Sequence, residues 1–328
     1  MTQIPLLSLD LIYEPIVQDL QKVEDILSRE LGSSDEVAGE VAKQLIEGKG
    51  KRLRPALVLF SSRVNSLTSE SVHRLAAAME MIHVATLVHD DVLDEASLRR
   101  NQATINAIFG NKIALLLGDY LYAKAIEQLA NLGDPKLLQW VSMATTQMCL
   151  GEFTQAYIKE LPSLDEAQYL SLIDKKTARL MAACCQCGAY LSGGNSEVLQ
   201  VLYEFGLNFG LGFQIIDDCL DIMGDERLLG KPCGLDLLRG KVTLPIITLY
   251  HTAPQYGSFL ERLYSNKVSE KESETLKPLL LETGSLERSM DRARDYMELA
   301  KEALGRLGNP SCKESLLALT DYALYRQR

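Results

Sequence analysis

Residues 75–94 read LAAAMEMIHVATLVHDDVLD, and their periodicity decides the fold class. Leu75, Met79, Ile82 and Thr86, with Leu87 and Val88 close behind, recur three and four apart, the spacing of a helix face rather than the alternation of a strand. The same spacing runs over most of the chain, broken by short Gly, Pro, Ser and Asn clusters such as those at 32–34, 133–135, 162–165, 193–195, 224–232 and 308–310. Such breaks delimit about ten or more helices of ordinary length. Ser69, Asp165 and Asn195 each precede a helical run as N-caps, and Ser163-x-x-Glu166 reads as a capping box. With no linker-like segment, composition shift or fixed-period repeat, residues 1–328 are read as a single all-α domain.

The composition narrows the function classes. At 328 residues with 47% hydrophobic and 24% charged side chains, the chain has ample material for a core. Lys and Arg total 34 against 44 for Asp and Glu, a formal charge of −10, so there is no global basic field for nucleic acid. Seven cysteines, an odd number set mostly in apolar helical text, suit a reducing compartment. Cys184, Cys185 and Cys187 lack a second pair at zinc spacing and read as buried structural thiols. The opening MTQIPLLSLDLIYEP has no positive region ahead of its apolar residues, and no stretch has the apolar length of a membrane span. A cytoplasmic protein without a membrane segment is expected.

Asp90-Asp91-Val92-Leu93-Asp94 and Asp217-Asp218-Cys219-Leu220-Asp221 share the spacing Asp-Asp-x-x-Asp. On a helix, residues four apart lie one above the other, so Asp90 with Asp94, and Asp217 with Asp221, each put two carboxylates on one face. Like charges so placed call for a hard cation, and an oxygen-only set suits Mg²⁺. Mg²⁺ prefers a few carboxylates plus water and phosphate oxygen, which points to a phosphate or diphosphate ligand. The bland alternative is a pair of solvated acidic helix faces. Val84, Leu87, Val88, Val92 and Leu93 around the first triplet, and Phe213, Ile215, Ile216, Leu220 and Ile222 around the second, argue instead for buried helices.

Cations cluster near these triplets. Gly50-Lys51-Arg52-Leu53-Arg54-Pro55 concentrates three where a glycine break enters a helix, a favourable place for phosphate. Arg99 and Arg100 follow Asp94 closely, and Lys231 and Lys241 follow the second triplet in glycine-rich text that lacks the Walker spacing. His83, seven residues before Asp90, and Gln214, three and four before Asp217 and Asp218, share the faces of their triplets.

Six motifs in order, GKRLRP, HDDVLDEASLRR, GEFTQ, DKKTA, FQIIDDCLDIMGD and GKPCGLDLLRGKVTLPI, run from residue 50 to 246 and resemble the trans-isoprenyl diphosphate synthases, or polyprenyl synthetases. Lys49 stands where that family usually has the first of two glycines. The resemblance implies an isoprenoid-synthase fold with helices around a central cavity, usually a homodimer, that elongates an allylic diphosphate such as farnesyl or geranylgeranyl diphosphate with isopentenyl diphosphate. It further implies that Asp90, Asp94 and Asp217, together with Asp221, ligate about three Mg²⁺ ions, and that Asp91 and Asp218 support them. Arg99, Lys176, Thr177, Gln214, Lys231 and Lys241 would hold the allylic diphosphate, Lys176 and Lys241 also assisting its departure. Lys51, Arg54, His83 and Arg100 would hold isopentenyl diphosphate. The departing diphosphate is expected to accept the proton released at the end, since His89, one residue from Asp90, is turned away.

A growing prenyl chain is expected to run back along the helix of the first triplet. One turn advances about 5.4 Å, close to one isoprene unit, so Thr86, Ala85 and Ile82 gate successive additions. Short-chain relatives typically carry an aromatic in this turn; its absence points to a long product, about C30 to C50 at such a rise per unit. The alternatives are a short-chain farnesyl or geranylgeranyl synthase, a terpene cyclase, which has no use for a second diphosphate site, and a non-catalytic subunit of a heteromeric synthase.

Overall fold

The computed structural model describes residues 8–32, 39, 41, 50–65, 69–99, 102–157, 165–223, 242–265, 274–308 and 310–326. Their α-helices are α1 (Leu9–Tyr13), α2 (Val17–Gly32), α3 (Leu53–Ser62), α4 (Glu70–Leu93), α5 (Ile105–Phe109), α6 (Asn111–Asn131), α7 (Pro135–Tyr157), α8 (Glu166–Ile173), α9 (Arg179–Leu191), α10 (Ser196–Met223), α11 (Leu244–Thr252), α12 (Gly257–Tyr264), α13 (Leu276–Glu282), α14 (Ser285–Gly305) and α15 (Cys312–Tyr325). The all-helical expectation holds, with one addition: a two-residue hairpin, β1 (Leu98–Arg99) with β2 (Gln102–Ala103), pairs Leu98 with Ala103 and Arg99 with Gln102. The chain forms two compact units: Met1–Thr145 with Leu180–Gly206 and Ala303–Leu319, and Thr146–Arg179 with Leu207–Glu302 and Thr320–Arg328.

In the first unit, α4 packs against α2, α3 and α6. Every residue from Leu75 to Ile82 is buried, all apolar except Glu80, so the helix is covered on all sides over two turns, as an interior helix must be. Ser69 caps its start by accepting from the Val72 amide. A carboxylate packed near that end is also buried. Asp19 of α2 pairs with His73 Nε2 at 2.8 Å and Arg63 Nη2 at 2.9 Å, which satisfies both its oxygens. Cys184, Cys185 and Cys187 are buried thiols, as expected, and burial pushes Cys185 up to about 12, far from a reactive thiolate. Cys233 lies outside the described residues.

In the second unit, α8 packs against α11 and runs straight into a π-helical turn at Asp174–Ala178, closed by the Arg179 amide on the Asp174 carbonyl. The capping box at the start of α8 differs from the expected one. It joins Asp165 and Gln168, whose side chains each accept from the other's backbone amide, at 2.8 and 2.9 Å. Ser163 lies outside the described residues.

Candidate active site

The first aspartate triplet sits at the carboxyl end of α4. Asp94 is the C-cap, its amide donating to the Asp90 carbonyl at 2.8 Å. The negative end of the helix dipole and two half-buried carboxylates one turn apart make an oxygen-only, electronegative patch. Burial is uneven here, against expectation: Asp91 and Val88 are buried, but Leu93 is 67% exposed and Asp90 and Asp94 are only half covered. The i+1 offset explains this, since Asp91 faces the packed side while Asp90 and Asp94 face out.

Asp91 is held by Arg99. The guanidinium Nε donates to both carboxylate oxygens at 2.9 and 3.0 Å, and Nη2 lies 2.9 Å from Oδ1. The short hairpin returns Arg99 to the helix it has just left, so this expected diphosphate ligand also braces the triplet. His89 points away from the triplet, as its offset predicts. It lies over Gly118 of α6, with Nε2 3.2 Å from the Leu115 carbonyl and 3.5 Å from Asp119 Oδ1. A β-carbon at Gly118 would come within 2.2 Å of that imidazole, so only glycine permits the approach. His83 is half-buried on α4, while Ile82 and Ala85 are buried. The Thr86 hydroxyl donates to the His83 carbonyl at 2.7 Å and so is satisfied by its own helix.

The cationic hexapeptide at 50–55 divides. Arg52 takes a left-handed backbone (φ 49°), and its side chain turns inward between Glu24, 3.2 Å from Nη2, and Glu80, 2.9 Å from Nη1. Burial works against its charge, but the hydrogen bond that it donates to Glu24 and the Glu80 charge raise its pKa on balance. Lys51 and Arg54 are half-buried on either side, and the Lys51 carbonyl accepts from the Tyr13 hydroxyl at 3.0 Å. Arg100, Lys231 and Lys241 lie outside the described residues.

The second triplet lies on the last turns of α10. Asp217 and Asp221 are half-buried and Asp218 is buried. Asp217 pairs with Arg326, whose guanidinium stacks 3.8 Å over the Phe213 ring. Asp218 accepts from the Tyr169 hydroxyl at 2.6 Å and from Gln214 Nε2 at 2.8 Å. The Gln214 carbonyl oxygen in turn accepts from the Thr177 hydroxyl at 2.8 Å. Thr177 and Gln214, expected to serve one ligand, are thus joined to each other. Lys176 extends over Gly151, where a β-carbon would meet its Cγ at 2.7 Å, and its ammonium is held by Glu152 at 2.6 Å and by Gln155. These are residues of the GEFTQ motif, which marked the segment without disclosing its role. Neither Tyr169 nor Arg326 was found by sequence reasoning. Tyr169 sits seven residues before Lys176 in periodic text and carried a weak signal; Arg326 carried none.

Among the described residues, no three carboxylate, imidazole or thiol groups already converge as a closed metal cage. No helix among them is long and apolar enough to cross a membrane.

The polyprenyl synthetase family model matches residues 35–280. A prenyl transferase of a Synechocystis species is 37% identical over 318 residues, covering 96% of this chain and 98% of its own. Component 2 of a heptaprenyl diphosphate synthase from Geobacillus stearothermophilus is 37% identical over 321 residues, covering 97% and 98%. Among solved structures, a Caulobacter crescentus polyprenyl synthase, complexed with calcium and isoprenyl diphosphate, aligns with a TM-score of 0.92 at 33% identity over 98% of each chain.

Proposed function

Because the chain belongs to the polyprenyl synthetase family and is an enzyme of long-chain prenyl elongation, we propose that it is a magnesium-dependent trans-polyprenyl diphosphate synthase. It joins isopentenyl diphosphate head-to-tail to an allylic primer, farnesyl or geranylgeranyl diphosphate. The observation that carries this reading is the pair of Asp-Asp-x-x-Asp triplets inside the family match, each presenting two half-buried carboxylates one helical turn apart.

The donor set fits the metal. Asp90 and Asp94 at the negative end of α4, and Asp217 with Asp221 on α10, are hard oxygen ligands without a competing His or thiol. When bound there, about three magnesium ions would neutralise the charge of the departing diphosphate. Asp91 and Asp218, the two buried members and each held by protein donors, support the ligands rather than joining them.

Lys176, with Arg99, Thr177, Gln214, Lys231 and Lys241, binds the allylic diphosphate and stabilises it as the carbon–oxygen bond breaks. Lys51, Arg54, His83 and Arg100 bind isopentenyl diphosphate, which keeps its diphosphate and needs binding charge alone. Its double bond attacks the allylic cation, and the proton then lost goes to the departed diphosphate. Lys176 cannot leave Gly151 without losing Glu152 and Gln155, so its ammonium is delivered from a fixed direction. Ile82, Ala85 and Thr86 line the path of the product, a small turn that suits a long chain.

The chain is read as one domain, because the family match runs across both compact units. A homodimer is supported by large apolar side chains left in solvent, Leu116 on α6 and Phe153 on α7 among them. The buried reduced thiols suit the cytoplasm. The test is incubation of the purified protein with Mg²⁺, labelled isopentenyl diphosphate and farnesyl diphosphate, with sizing of the dephosphorylated products. A ladder beyond C25 supports the reading, and a C20 stop makes it a short-chain synthase. The Geobacillus relative is by name one component of its synthase, which favours a second reading: absence of elongation until a second subunit is added.

A further inference from the structure

Asp218 is buried, and each of its carboxylate oxygens already has a neutral donor, Tyr169 on Oδ2 and Gln214 on Oδ1. From there the polarity of the network is forced. Gln214 gives an amide hydrogen to Asp218, so its carbonyl faces Thr177 and accepts that hydroxyl proton. Asp218 thereby dictates the orientation of the Gln214 amide, and the amide dictates the direction of the Thr177 O–H.

The backbone is built for this line-up. Tyr169 and Thr177 are eight residues apart, and in an unbroken α-helix they would point about 80° apart around the axis. The π turn at Asp174–Ala178 inserts one residue and returns Thr177 to within about 20° of the Tyr169 face. Gln214 and Asp218, four apart on α10, form the matching stripe. The capping box of Asp165 and Gln168 fixes the start of α8 one turn before Tyr169. Tyr169 itself is 1% exposed.

We propose that Tyr169 is a positioning residue for prenyl transfer. Its hydroxyl pins Asp218, and through Asp218 it orients the Gln214 amide, whose second N–H is presented to the allylic diphosphate while the Thr177 hydroxyl holds the carbonyl end. This rests on the function proposed above, which assigns those two residues to that substrate. Removing the hydroxyl takes away the 2.6 Å hydrogen bond to the buried Asp218 carboxylate, so Asp218 turns and the relay loses its fixed sense.

The test is Tyr169→Phe in the full chain, which keeps the ring and its packing. The Michaelis constant for the allylic diphosphate, and the dissociation constant of inorganic diphosphate with Mg²⁺ by calorimetry, are expected to rise about tenfold. The constant for isopentenyl diphosphate stays within about twofold, since its ligands lie outside the relay. The double variant Tyr169→Phe/Asp218→Asn is expected to be no worse than Asp218→Asn alone, because both act through one carboxylate. Parent-like constants for Tyr169→Phe, or equal losses for both substrates that track a fall in melting temperature, would overturn the proposal. Failure of the parent to elongate any primer would instead overturn the function, leaving the diphosphate titration to judge Tyr169.

Discussion

Arg326 closes on Asp217, its guanidinium paired with the carboxylate and laid flat on Phe213, with only 3% of its side chain exposed. A cation so placed competes with any divalent ion for that carboxylate. Arg326→Met is therefore expected to tighten Mn²⁺ binding about fivefold, read by electron paramagnetic resonance on the free protein. Unchanged or weaker binding would show that the pair does not compete with metal.

Asp90→Ala and Asp217→Ala each remove one half-buried member of a carboxylate pair without touching the packed partners Asp91 and Asp218. Turnover is expected to fall by orders of magnitude while the far-ultraviolet circular dichroism stays at the parent value. A near-normal rate in either variant would remove that triplet from the metal site.

Ala85 is buried on α4, and the hydroxyl of neighbouring Thr86 is internally satisfied, which suits the apolar path proposed for the product. Ala85→Phe is expected to shorten the product to about C15 or C20, one turn of helix corresponding to about one isoprene unit. Chromatography of the dephosphorylated products decides it, and an unaltered distribution would separate product length from this turn.

Gly118 lies inside α6, where alanine would ordinarily gain about 1 kcal/mol of helix stability. Here the sign is expected to reverse. A methyl within 2.2 Å of the His89 ring must displace it from the Leu115 carbonyl. Gly118→Ala should lower both the melting temperature and turnover, as calorimetry and a rate assay would show, whereas a stabilised variant would mean that His89 moves freely.

Asp19 supplies a pH dependence. Burial alone would raise its pKa, but hydrogen bonds from His73 and Arg63 and their charges bring it below the ordinary 3.8. A depressed carboxylate stabilises the fold above its unfolded value and loses that contribution as pH falls toward the folded one. Acid unfolding below pH 3.8 should thus be less steep in Asp19→Asn than in the parent. Superimposable acid limbs would deny the link.

Both triplets, their helices and the helix-rich fold were legible in the sequence because spacing and periodicity are local properties. What escaped depended on meetings between distant segments. Nothing in GKRLRP reveals that Arg52 turns inward to a carboxylate pair, since its partners Glu24 and Glu80 are each 28 residues away. Arg326 reaches Asp217 across 109 residues and Tyr169 reaches Asp218 across 49, with no pattern joining either pair. The π turn has no compositional mark in DKKTA, and the hairpin that returns Arg99 to Asp91 is too short to show alternation.

The left-handed Arg52 has one more consequence. Glycine would relax that backbone, since a non-glycine residue there costs about 1–2 kcal/mol, yet it would strand Glu24 and Glu80 without their shared cation. The hexapeptide is in this sense bilingual: one inverted residue addresses the interior, while half-buried Lys51 and Arg54 beside it are the cations proposed for isopentenyl diphosphate. Affinity for substrate and stability of the fold are thus set by adjacent letters, and a change at position 52 is expected to act through Glu24 and Glu80.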